Sequence, residues 1–167
     1  PLEAQALLAG IMLDTRSFPL HVGVRTFEAA ACLRSRGAET AATKRLFNIS
    51  KEEYEARAAI VEGAYLYKGC AIATSDELDP AMSVVLPMAA NDLLTITGAE
   101  ASFVAIAKNG GVNISARSMG ALNVQVILEP LGGGGHLTIA GAQLRDCTVK
   151  EAEARIRAQI EEYRAKQ

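Results

Sequence analysis

The chain has no tryptophan, only four tyrosines and four phenylalanines, two histidines and three cysteines among its 167 residues. With so few aromatics, its core has to be built from Ala, Leu, Ile and Val. The cysteines, Cys32, Cys70 and Cys147, are widely spaced and form no Cys-x-x-Cys pair. That excludes a disulfide framework and a zinc site and suits a reducing compartment, with each cysteine expected to pack as a small hydrophobe. No apolar run reaches the roughly 18 residues a membrane span needs. A basic excess is also lacking: 17 Lys and Arg against 19 Asp and Glu give a net charge of −2. This argues against a binder of long nucleic acids through a broad basic surface. A small phosphate-bearing ligand needs only two or three local cations and stays open. The sequence starts on Pro1 with no initiator methionine and enters a helical pattern at once, so a piece of a longer protein is expected.

What the chain does contain is ordinary for a globular protein: 50% hydrophobic and 22% charged residues, enough for one large domain or two small ones. Residues 2–13 and 25–36 have helical spacing, the second run stopped by Gly37. A short helix is predicted over 40–47. Ser50 with Glu53 forms a capping box that opens a fourth helix to about Glu62. The pattern then changes. Tyr65 to Thr74 reads as a strand, and Asp79-Pro80 as the start of a buried helix over Ala81 to Leu94. Residues 101–107 and 112–117 read as a hairpin through Lys108-Asn109-Gly110-Gly111. Asn123 to Leu128 is apolar at helical spacing, Ala140 to Leu144 suggests a further strand, and Thr148 with Glu151 opens a terminal helix. The boundary between a helical lobe, 1–62, and a mixed α/β lobe, 63–167, is placed where the pattern changes.

Three features can carry chemistry. Gly132-Gly133-Gly134-Gly135-His136 is four glycines ending on one of the two histidines. Glycine lets another group approach the backbone, and successive free N–H groups make an anion cradle; a flexible connecting loop is the equally weighted alternative. Asn113-Ile114-Ser115-Ala116-Arg117-Ser118 lies on a predicted strand, where 113, 115 and 117 share one face. An exposed polar strand face is the bland reading, and a guanidinium flanked by hydroxyls, fit to clamp a phosphate, is the sharper one. Asp14 emerges from an apolar helix as either a cap for the next turn or a ligand for a hard cation such as Mn²⁺ or Mg²⁺. One carboxylate alone does not make a metal site.

Taken together, Gly-Ile-Met-Leu-Asp-Thr-Arg-Ser-Phe (10–18), Arg-Thr-Phe-Glu-Ala-Ala (25–30), Asn-Ile-Ser-Ala-Arg-Ser (113–118) and Gly-Gly-Gly-Gly-His (132–136) resemble, in this order, the C-terminal half of a DHH-family phosphoesterase with its DHH-associated domain. The wording is most similar to the branch of GdpP-type cyclic-di-AMP phosphodiesterases. The resemblance implies an α/β fold, a helical remnant of the catalytic domain over 1–62 followed by a mixed-sheet associated domain over 63–167. It implies a hydrolase in which two Mn²⁺ ions, or Mg²⁺ in their place, activate a water for attack on a phosphodiester. Asp14 matches one metal ligand of that family. Ser115, Arg117, Gly133, Gly134, Gly135 and His136 take the substrate-holding roles. The remaining ligands, including the Asp-His-His triplet, are expected before Pro1, so no complete catalytic set is present and the fragment is expected to be inactive alone. The implied partners are a cyclic dinucleotide or short oligonucleotide and the preceding part of the same protein, with homodimerisation left open. The implied location is cytoplasmic, with any membrane anchor upstream. Two alternatives stand beside this: an oligoribonuclease or phosphoadenosine-phosphate phosphatase of the same superfamily, and a non-catalytic nucleotide- or RNA-binding module.

Overall fold

The computed structural model describes residues 1–19, 22–76, 84–108 and 110–166. It divides into two compact units, Pro1–Ser50 and Lys51–Gln167.

The first unit is three helices, α1 (Leu2–Asp14), α2 (Val24–Ser35) and α3 (Thr40–Arg45). Ala4, Leu8 and Met12, spaced four apart and therefore on one face of α1, pack with Ala38 in a small core lined by Phe18, Ala30 and Leu33. After α1 the chain makes an unusual turn: Arg16, Ser17 and Phe18 all have positive φ, at 49°, 65° and 77°. Left-handed backbone is costly for residues with a Cβ. The turn is held by Thr15, buried, whose Oγ1 donates to the Ile11 carbonyl at 2.7 Å and accepts from the Phe18 N–H at 3.0 Å. Phe18 then stacks on Phe27, ring centroids 5.6 Å apart.

The second unit is a six-stranded sheet between two pairs of helices. Its elements are α4 (Lys51–Glu62), β1 (Tyr65–Tyr67), β2 (Cys70–Ser75), α5 (Val85–Leu93), β3 (Ala101–Lys108), β4 (Gly111–Ser118), α6 (Val124–Leu128), β5 (Gly134–Gly135), β6 (Ile139–Arg145) and α7 (Val149–Ala165). The strand order is β1-β2-β3-β4-β6-β5. Among the described strands only β2 and β3 are parallel, and the chain between them contains α5, as a parallel crossover requires. Alternate residues face opposite layers. Cys70, Ile72, Phe103, Ala105, Ile114, Ala116, Ala140 and Ala142 meet α6 and α7 through Val124, Ile127, Ile156 and Ile160. Ala71, Ala73, Val104 and Ile106 meet α4 and α5 through Ile60, Val85, Ala89 and Leu93. By its packing α4 belongs with this unit, tied to α5 by the paired hydrogen bonds from Arg57 to Asp92 at 2.6–2.9 Å. The change of sequence pattern at residue 62 thus marks where the sheet begins, one helix later than the start of the compact unit.

The fold class is the expected one, and the capping box that opens the terminal helix is realised. Thr148 Oγ1 accepts from the Glu151 N–H at 3.2 Å, while Glu151 accepts from the Thr148 N–H at 2.9 Å. These bonds hold the Glu151 carboxyl below its ordinary range. Asn123 caps α6 through its side-chain oxygen. Three expectations need correction. The single strand over 65–74 is a hairpin, because Lys68 and Gly69 both adopt positive φ, 49° and 75°, and turn the chain between β1 and β2. Cys70 and Cys147 are buried as expected but Cys32 is exposed; burial pushes the Cys70 thiol up to about 11. The bland reading of the strand as an exposed polar face fails at Ser115 and Arg117, since both residues are buried. The predicted helix start at Asp79-Pro80 lies outside the described residues, and the helix is described from Val85 onward.

The β1 edge is fastened to α7 by side chains. Tyr65 donates to Glu153, Tyr67 donates to Glu161, and Arg157 stacks over the Tyr67 ring at 4.4 Å. Burial, together with the bond to Glu153, pushes the Tyr65 hydroxyl up to about 12. The largest fully buried side chain, Phe103, sits at the centre of the α6/α7 layer. Phe103→Ala is expected to lower stability by about 3–5 kcal/mol in denaturant titration.

Candidate functional site

One face of the sheet is only partly roofed. Helix α5 packs on β3 and β4, and next to it β6 turns Ile139, Gly141, Gln143 and Arg145 outward to solvent while Ala140, Ala142 and Leu144 face the core. The register aligns Ser115 with Gly141 and Asn113 with Gln143 on this open face. A cavity of about 620 Å³ lies there, within the size range of small-molecule sites. Its walls are Leu86 and Pro87 from α5, Asn113 and Ser115 from β4, Gly132 to Gly134, and Gly141, Gln143 and Arg145 from β6.

The strand pattern explains why Ser115 is there and Arg117 stands behind it. Arg117 lies two residues further along the same face, where α5 covers it. Its Nε donates to Asn91 Oδ1 at 3.1 Å, and its Nη1 donates to Ser115 Oγ at 2.9 Å and to the Ala116 carbonyl at 2.9 Å. Because Ser115 Oγ accepts from a cation, its own O–H remains to be donated, and the neighbouring charge polarises it. No acceptor for that O–H occurs among the described residues. The cavity therefore presents a polarised hydroxyl donor backed by a buried guanidinium. Arg117 itself is not part of the cavity wall, which corrects the expectation of a guanidinium fork laid directly on the ligand.

The glycine run is also different from an open cradle of amides. The Gly132 N–H donates to the Glu129 carbonyl at 2.9 Å, the Gly133 N–H to Leu128 at 3.0 Å, and the His136 N–H to Ile139 at 2.6 Å. Gly134 and Gly135 form β5 and pair with Gly141 and Ala140 of β6. Close packing is what demands glycine at 133, where a Cβ would stand 2.6 Å from the Gly141 carbonyl oxygen and 2.9 Å from Ala142 Cβ. Positive φ demands it at 132 and 135. Gly132 and Gly134 have open space above their Cα, and both line the cavity; of the two, only Gly134 lacks a positive φ. His136 is exposed in the tight turn that follows β5, beyond the cavity wall. The run thus supplies a floor without side chains.

Of the residues singled out from sequence, the structure brings Ser115, Gly133 and Gly134 together in one cavity, with Arg117 bonded to Ser115 behind it; Gly135 and His136 are not part of the cavity wall. Asp14 belongs to the other unit and is exposed at the end of α1. Among the described residues no group of three or more His, Cys, Asp or Glu side chains is arranged to hold a metal ion. Sequence reasoning did not single out Gln143 and Arg145, nor Asn113 as more than a strand neighbour. Their signal was the outward alternation of β6 combined with its register against β4.

The packing account predicts a contrast within the run. Gly133→Ala should lower stability by about 1–3 kcal/mol through the forced contact with Gly141, whereas Gly134→Ala should stay within about 0.5 kcal/mol of the parent; thermal melts of both variants check it.

The chain is 51% identical over 97% of its length to the cyclic-di-AMP phosphodiesterase GdpP of Geobacillus thermodenitrificans. It is 43% identical over 97% of its length to the cyclic-di-AMP phosphodiesterase PdeA of Listeria monocytogenes. In both cases it spans only 25% of the relative's length. An exopolyphosphatase-related protein from Bacteroides fragilis shares the fold, with a TM-score of 0.89 over 97% of this chain and 50% of that one, at 20% identity. Residues 68–166 match the DHHA1 domain model. That is more than half of the sequence and includes every residue that lines the cavity; the chain belongs to the DHHA1 domain family.

Proposed function

We propose that this chain is the substrate-binding half of a bacterial phosphodiesterase that hydrolyses cyclic-di-AMP to linear pApA. Residues 1–62 are assigned to the end of the catalytic domain and 63–167 to the DHH-associated domain that holds the substrate. The observation that carries the proposal is the Arg117–Ser115 pair at the cavity wall, a buried cation that aims a hydroxyl donor across from the bare backbone of Gly134. That combination suits a phosphodiester oxygen, which accepts hydrogen bonds and carries negative charge. High identity to two named cyclic-di-AMP phosphodiesterases supports the substrate.

In this reading the chain's own residues bind and orient. Ser115 donates to a phosphate oxygen, Arg117 holds Ser115 in place and supplies charge from behind, Gly133 and Gly134 allow close approach, and His136, exposed after β5, is assigned a contact to the ligand. The two Mn²⁺ ions of the family, or Mg²⁺, would polarise the phosphodiester and its attacking water. The residues described here do not fit such a pair by themselves, since Asp14 is the single ligand matched. The cleavage step is therefore assigned to the part of the protein that this chain does not span, and the 167-residue chain is expected to bind without turnover.

Calorimetric titration with cyclic-di-AMP and pApA tests the proposal. Ser115→Ala and His136→Ala should each weaken binding, the first by about tenfold for a lost bond to a charged group. Ser115→Ala should also lower stability by about 1–3 kcal/mol through the acceptor lost by buried Arg117, so its affinity is read well below its melting transition, while exposed His136→Ala should melt like the parent. Unchanged affinity in both variants would contradict it, and Mn²⁺-dependent hydrolysis by the isolated chain would contradict its inactivity.

A further inference from the structure

Beside the cavity just described is a second one, of about 350 Å³, walled by Lys108, Gly110, Asn113, Gln143, Arg145 and Asp146 among others. The two cavities share Asn113, Gln143 and Arg145. The strand register explains the sequence of compartments. Ser115 pairs with Gly141, Asn113 with Gln143 and Gly111 with Arg145, so these three rungs climb one face of the β4–β6 ladder at two-residue steps, roughly 7 Å each. The Ser115–Gly141 rung lies in the first cavity. The Asn113–Gln143 rung, two side-chain amides facing each other, stands at the border of both. Arg145 marks the far rung, about 13 Å from Ser115 along the strands.

Arg145 is exposed, and among the described residues it makes no ion pair. Lys108 across the hairpin adds a second cation to this end, against one anion, Asp146. A cation at the junction of two polar cavities, without an ion-pair partner among the described residues, is placed to serve an anionic ligand.

We propose that Arg145, with Asn113 and Gln143, forms a second subsite, so that the groove along β4 and β6 holds a dinucleotide by two phosphates: one at Ser115, one at Arg145. The amide pair at the border can donate and accept at once, as the polar edge of a nucleobase or a ribose requires. This rests on the substrate-binding role assigned above to the first cavity and adds to it a reason for preferring two linked nucleotides over one.

The test compares cyclic-di-AMP, pApA and AMP binding to the 167-residue chain and to Arg145→Ala and Ser115→Ala. Arg145 is at an exposed strand end, so its replacement is expected to leave the melting behaviour unchanged. Arg145→Ala should weaken both dinucleotides about tenfold and leave AMP within about twofold, with Arg145→Lys recovering part of the loss. Ser115→Ala should weaken all three. If Arg145→Ala leaves dinucleotide binding unchanged, or weakens AMP equally, the second subsite is wrong while the first cavity's role stands. If Ser115→Ala changes nothing, or no dinucleotide binds, the first cavity's role fails and the subsite falls with it.

Discussion

The structure turns on the partial roofing of one sheet face. Helices α6 and α7 cover the other face with a continuous aliphatic layer from Cys70 to Leu144. On the open face, α4 and α5 cover β2, β3 and the part of β4 near Arg117, leaving the outward side chains of β6 in solvent. An uncovered strand face cannot be apolar without inviting association. Gly141, Gln143 and Arg145 satisfy that condition, though Ile139 at the end of the strand stays exposed. The same condition supplies a polar floor for a ligand.

At the border between roofed and open sheet the polar groups are arranged by depth. Arg117 is buried under α5, where a guanidinium needs partners, and it finds them in Asn91, Ser115 and the Ala116 carbonyl. Ser115 is one step nearer to the edge and lines the cavity. Arg145, further out, is solvated. Moving along the groove, charge passes from a fixed buried cation to an exposed surface one. The first preorganises a donor at little entropic cost on binding, and the second adds reach and charge.

Much of this was legible in the sequence because local signals act locally. The Thr148–Glu151 capping box, the Gly37 stop and Gly110 ahead of β4 each fix a boundary within a few residues. The hairpin at Lys68-Gly69 escaped because the run from Tyr65 to Thr74 is β-forming throughout, and a non-glycine residue at positive φ leaves no pattern in hydropathy. The glycine run was overread as an amide cradle. Gly133 is glycine because β6 crosses it at contact distance, a constraint set by a strand that comes eight residues later. Gln143 and Arg145 went unnoticed because their place beside Asn113 and Ser115 depends on the β4–β6 register, which alternation alone does not give. Asp14 was legible as a carboxylate leaving an apolar helix; the left-handed turn of Arg16 to Phe18 that follows it was not.

The central claim is that nucleotide binds on the open β4–β6 face of the second unit. Backbone amide chemical-shift mapping of the 167-residue chain during titration with cyclic-di-AMP tests it most directly. The account predicts saturable shifts concentrated at Asn113, Ser115, Gly134, Gly141 and Gln143. Shifts concentrated instead on the β1 edge, on α7 or on the helices of the first unit, with these residues unmoved, would contradict it.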